Sequence, residues 1–95
     1  MLAEHTRYDA ITLQQIAHRL HQLDVAACNY GLTPRQEKRV ARLEEQAQSI
    51  AKQHGFIAYH QGDPRGWSLY LVYPNRLADR DINSIYMEGL GVYSV

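Results

Sequence analysis

Apolar residues in the first third of the chain recur every three or four positions. In ITLQQIAHRLHQLDVAAC, Leu13, Ile16, Leu20, Leu23 and Ala27 are separated by three, four, three and four residues. At 3.6 residues per turn this spacing puts all five on one stripe of a helix. The pattern predicts a helix over residues 12–28, with Thr12 and Gln15 resembling a capping box and Asp9 offering an earlier start. Asn29 and Gly31 supply its stop, because both tolerate the left-handed backbone that ends helices.

The same period returns in LTPRQEKRVARLEEQAQSIAKQHG, where Val40, Leu43, Ala47, Ile50 and His54 repeat the spacing. Thr33 is placed to cap, Pro34 takes the first helical position, where a missing N–H costs nothing, and Gln36 completes a capping box. Gly55 closes the element, so a helix is predicted over residues 34–53. Two stripes of equal period joined by a short loop predict an antiparallel helical hairpin, with Leu13 near Ile50 and Ala27 near Val40.

Past Gly55 the period shortens to two. FIAYH and WSLYLVY are rich in β-branched and aromatic residues, and both read as strands. Between them GDPRG has the chemistry of a type I turn: Asp63 at the first corner, Pro64 presetting φ, and Gly66 at the fourth. A phosphate-binding loop would have to feed a helix N-terminus, whereas this turn feeds a strand. Pro74 ends the second strand, and Asp79 or Asp81 can start a short helix carrying Ile82, Ile85 and Tyr86 and stopped by Gly89. LGVYS reads as a third strand. The predicted fold is α+β: an antiparallel helical hairpin packed on one face of a small antiparallel three-stranded sheet, in the order α-α-β-β-short α-β.

Alternation assigns faces. Trp67, Leu69, Leu71 and Tyr73 form the heavier, more apolar set and are expected toward the helices; Ser68, Tyr70 and Val72 fall on the other side. Tyr59, Tyr70 and Tyr93 are then expected together on an open face. Such aromatics suit a protein interface or base stacking, and equally ordinary edge packing.

Composition narrows the class. The 95 residues form one domain, 1–95, whose small size makes packing against a second copy helpful, so a homodimer is expected. Ten basic residues balance ten acidic ones, which removes any global attraction to nucleic acid or an anionic membrane. A single cysteine, no signal-like apolar start and no membrane-length apolar stretch lead to the expectation of a soluble, cytoplasmic protein.

Within this neutral chain the charges are sorted. Arg35, Lys38, Arg39 and Arg42 crowd the first half of the second helix, where the helix dipole prefers acids. At 100° per residue they fall on one flank beside the apolar stripe, while Glu37, Glu44 and Glu45 lie away from it. The strip suits an acidic protein surface or phosphates, and four cations give a weak, salt-sensitive contact; paired charges on a solvated flank, such as Arg42 with Glu45, are the plainer reading. Arg65 sits at the turn tip, where its guanidinium is available to a carboxylate or phosphate.

Catalytic and metal signals are thin. His18 and His21 have a spacing that can share a metal but lack a third ligand, and Cys28 reads as a buried structural thiol. His54 ends the apolar seam as a partly buried cap. No triad, carboxylate pair or cofactor fingerprint emerges, so no cofactor, no metal and no enzymatic activity are expected.

At CNYGLTPRQEKRVARLEE, YHQGDPRGWSLYLV and DINSIYMEGLGVYSV the chain resembles a group of small, mostly uncharacterised proteins of phages and prophages. The shared pattern is a Cys-Asn before a Leu-Thr-x-x-Gln-Glu-Lys-Arg helix start, then a Gly-Asp-Pro-Arg-Gly turn leading into an apolar strand, and it covers residues 27–95. The resemblance implies a phage or mobile-element origin and a non-catalytic accessory role in the host cytoplasm, with Asn29 at a helix stop and Arg65 pairing back from its turn. The functional expectation is a protein-interaction module acting on a host or phage protein through Arg35, Lys38, Arg39, Arg42, Arg65, Tyr59 and Tyr70. The alternative is a small nucleic-acid binder using the basic flank.

Overall fold

The computed structural model describes residues 4–62, 65, 67–73 and 90–94. Its elements are α1 (Glu4–Tyr30), α2 (Pro34–Gln53), β1 (Ile57–His60), β2 (Leu69–Tyr73) and β3 (Leu90–Ser94), a small α+β arrangement.

Helix α1 is longer than its predicted span. It is already helical at Glu4, and Thr12 lies inside it rather than at its cap, the hydroxyl donating to the Tyr8 carbonyl one turn back at 2.9 Å. At 1.5 Å per residue its 27 residues run about 40 Å, which sets the 43 Å long dimension of the molecule. The buried stripe is Thr6, Ala10, Leu13, Ala17, Leu20 and Asp24, with Ile16 beside it. Leu23 packs at its margin and Ala27 is exposed, so the stripe is rotated from the expected one toward two polar residues.

Two glycines end the helices, each in the left-handed region. Gly31 (φ +76°) donates its N–H to the Ala27 carbonyl at 3.1 Å, the single-bond form of the left-handed cap. Gly55 (φ +82°) forms the fuller motif: its N–H donates to Lys52, and the following Phe56 N–H donates to Ala51 at 2.9 Å. Phe56 and Ala51 are both buried, so this cap also turns the chain into the core. At the other end of α2, Thr33 Oγ1 accepts from the Gln36 N–H while Gln36 Oε1 accepts from the Thr33 N–H, at 3.2 and 2.9 Å. This is the capping box expected there.

α1 packs against α2. Asp9 near the start of α1 meets His54 at the end of α2, whereas Leu23 and Ala26 near the end of α1 lie by Gln36 and Arg39 near the start of α2. Leu13, Ile16 and Leu20 of α1 join Leu43, Ala47 and Ala51 of α2, Phe56, and Leu69 and Leu71 of β2 in one core. Each such leucine contributes about 1.5–3 kcal/mol by leaving water.

β1 pairs antiparallel with β2, Tyr59 opposite Tyr70 and Ala58 opposite Leu71. β2 is central in the order β1-β2-β3, and its pairing with β3 is parallel, not antiparallel as the sequence reading had it. The physical reason is chain length: a parallel return needs a crossover of roughly a dozen residues or more, and residues 74–89 supply one. The short helix expected around Ile82–Tyr86 lies outside the described residues, as do Asp63, Pro64 and Gly66 of the predicted turn.

The period-two reading is met only in part: Leu69 and Leu71 are buried as expected, but Tyr70 between them is buried too, so burial does not alternate along β2. Trp67 precedes the strand and is 48% exposed rather than turned toward the helices, while Ser68 is buried.

Candidate functional site

The basic flank of α2 is on the surface. Arg35, Lys38, Arg39 and Arg42 are all exposed, and none forms an ion pair among the described residues. The pairing of Arg42 with Glu45 does not occur there; both residues instead line a groove of about 570 Å³ between α1 and α2, with Tyr8, Asp9, Thr12 and Ile50. Farther along the seam, Arg39 lines a second groove of about 280 Å³, facing Arg19 across the helix pair. The first half of α2 therefore carries four exposed cations against its dipole, with Glu37 as the acid of its first turn.

The sheet residues divide. Tyr59 and Tyr70 are register partners and share a sheet face, but Tyr59 is 57% exposed and Tyr70 only 6%. β1 is an edge strand, whereas β2 is flanked on both sides. Of the tyrosines expected on the open face, Tyr59 is exposed with Ile57 on the same face and Tyr70 is buried, while the side chain of Tyr93 lies outside those described. Tyr70 also has an interaction partner within the chain. Arg65 is exposed and already engaged, which removes it as a free turn-tip cation.

The edge itself is partly closed. The Ala58 N–H donates to Gln48 Oε1 of α2 at 3.0 Å, so one outward amide of β1 is occupied by a side chain. An edge blunted this way is a poor template for strand addition.

Two histidines tie the elements together through carboxylate contacts that local sequence patterns do not show. His60 Nε2 donates to Asp24, 2.9 and 3.0 Å from its two carboxylate oxygens, and His60 Nδ1 lies 3.5 Å from Glu44 Oε2. Asp24 is buried, and a carboxylate taken from water requires such a partner. His54 Nε2 contacts Asp9 Oδ2 at 2.8 Å, and the His5 ring stacks on His54 with centroids 6.5 Å apart. The detectable signal was Asp24 itself, an acid standing four residues after Leu20 where the heptad spacing of the buried stripe calls for an apolar residue.

These groups do not link into a nucleophile–base–acid relay. Ser68 Oγ lies 3.4 Å from His21 Nδ1, but Asp24 is bonded to His60, so the serine contact and the carboxylate contact belong to different histidines. Cys28 is exposed, not buried as expected, because it sits on the last turn of α1 off the packed stripe. No cluster of three or more metal-ligating side chains occurs among the described residues, nor among them a helix long and apolar enough to cross a membrane.

Comparison with family models, characterised proteins and solved structures gives no match to this chain.

Proposed function

We propose that the protein is a small, non-catalytic interaction module that binds a protein partner through the basic flank of α2. The observation that carries this reading is the exposed set Arg35, Lys38, Arg39 and Arg42, without an ion pair among the described residues, on one side of a chain with no net charge. Four cations kept against the helix dipole, outnumbering the one first-turn acid Glu37, mark a surface shaped for something other than stability. The reading treats α1 and α2 as an antiparallel hairpin covering one face of the sheet, which leaves the flank outward. Supported by the Cys-Asn and Gly-Asp-Pro-Arg-Gly patterns, we place the module in a phage or prophage setting, acting on a host or phage protein in the host cytoplasm.

A protein partner is favoured over nucleic acid because Asp9 and Glu45 line the same seam as Arg42 and would repel a phosphate backbone laid along it. The test is a pair of measurements. Affinity capture from host lysate should retain one dominant protein, lost with Arg39→Glu. Gel mobility at about 50 mM salt should show no shift of single- or double-stranded DNA or RNA; a shift abolished by Arg39→Glu would replace this reading with the nucleic-acid one.

A homodimer is proposed on a separate observation: Ile57, Tyr59 and Trp67 expose apolar surface on and beside the edge strand. With the Ala58 amide occupied by Gln48, face-to-face packing of two copies fits better than edge pairing.

A further inference from the structure

The groove between Arg19 and Arg39 has a composition that selects a ligand class. Its lining is Arg19, Gln22, Leu23 and Ala26 from α1 with Gln36 and Arg39 from α2, and it contains no carboxylate. Both arginines are exposed and free of ion pairs among the described residues, so their guanidinium donors are unspent. Gln36 adds to this bias. Its Oε1 already accepts from the Thr33 N–H, which leaves the amide nitrogen as the unused end. The polar rim is therefore rich in donors, while Leu23 and Ala26 give the groove an apolar part.

We propose that this groove binds a carboxylate side chain of an acidic protein segment, with a neighbouring aliphatic side chain resting on Leu23 and Ala26. The proposal deepens, and rests on, the reading of α2 as a protein-binding surface, and it brings in Arg19 of α1 as a second recognition residue. A guanidinium fork matches the two oxygens of a carboxylate, and two forks from opposite helices fix its orientation. The charge pattern along the seam chooses between anions. The neighbouring groove carries Asp9 and Glu45 beside Arg42, so a continuous polyanion meets repulsion one step along, whereas a segment of mixed charge does not.

The test is a titration of the ¹⁵N-labelled full chain with a synthetic peptide, Glu-Leu-Glu-Glu-Leu, followed at the arginine Nε–H and glutamine amide resonances. Saturable shifts are expected at Arg19, Arg39 and Gln36. Arg19→Gln and Arg39→Gln are each expected to weaken binding about tenfold, the cost of one charge-assisted contact, while Lys52→Gln stays within about twofold on the same scale. Absence of saturable shifts at the two arginines, or an affinity in both glutamine variants equal to that of the unaltered chain, overturns the proposal. So does tighter binding of a ten-base-pair DNA duplex than of the peptide at the same resonances. If peptide binding fails while partner capture through Arg35, Lys38 and Arg42 persists, the groove assignment falls and the interaction reading stands; if both fail, both fall.

Discussion

His60 and Asp24 lie 36 positions apart in sequence and are joined by a hydrogen bond at 2.9 Å, with both side chains at or below 10% exposure. This contact fixes the end of β1 against the last third of α1. It offsets the cost of placing a carboxylate on the buried stripe. Removing one partner leaves the other buried and unsatisfied, so Asp24→Ala is expected to cost about 3 kcal/mol, and His60→Ala a similar amount. The double variant should cost much less than the sum, as in any coupled pair. Urea unfolding of the four proteins measures this; a coupling near zero would contradict the contact.

The rotation of the α1 stripe is tested by two leucines three residues apart. Leu20 is fully buried and Leu23 packs only at the margin of the core. Leu20→Ala should cost about 3–5 kcal/mol, in the range for a deleted core leucine. Leu23→Ala should cost about 1 kcal/mol, because little of a cavity forms at a half-exposed site. Equal losses in denaturant melts would restore the stripe expected from the sequence.

The helix termini make separable contributions. A Cβ at Gly31 would meet nothing within 4 Å, so any cost of Gly31→Ala comes from the left-handed backbone alone, about 1 kcal/mol. Gly31→Asn should recover most of it. Thr33→Ala removes half of the capping box and should cost about 1 kcal/mol. Thermal unfolding resolves both, since a domain of this size shifts by about 4–8 °C per kcal/mol.

Tyr59 and Tyr70 should respond differently to the same change. Tyr59→Asp places a charge on exposed surface and is expected to leave the fold intact while converting a dimer to a monomer by light scattering. Tyr70→Asp buries a charge in the central strand and is expected to unfold the protein, so it does not report on association. A folded Tyr70→Asp variant would show that this face of β2 is open.

The helical half was written plainly in the sequence and the sheet half was not. The capping box at Thr33 and Gln36, the glycine stops at Gly31 and Gly55, and the Leu43–Ala47 seam each depend on residues within one or two turns, which is why spacing alone revealed them. The start of α1 was missed because Thr12 looks like a cap but bonds backward to Tyr8, and the polar stripe residues Thr6 and Asp24 hid its true period. The direction of β3 depends on how residues 74–89 return the chain, which no local pattern encodes. Alternation separates the two sides of a strand but does not say whether each is covered, and in β2 both Leu71 and Tyr70 are buried. The cations of α2 were legible individually; that Arg39 faces Arg19 across a groove follows from helix packing, and Arg19 carries no mark of it in sequence.

The claim on which the functional account depends is that recognition runs through the helical side and not the sheet. Three baits test it directly in one capture experiment read by quantitative mass spectrometry: the unaltered chain, the chain with Arg35, Lys38, Arg39 and Arg42 all changed to Gln, and the chain with Tyr59→Asp. The expected result is a dominant protein retained by the unaltered chain and by the Tyr59 variant, and depleted at least about tenfold on the glutamine variant, as loss of several charge-assisted contacts requires. Retention of the same protein at the same level by the glutamine bait would contradict it.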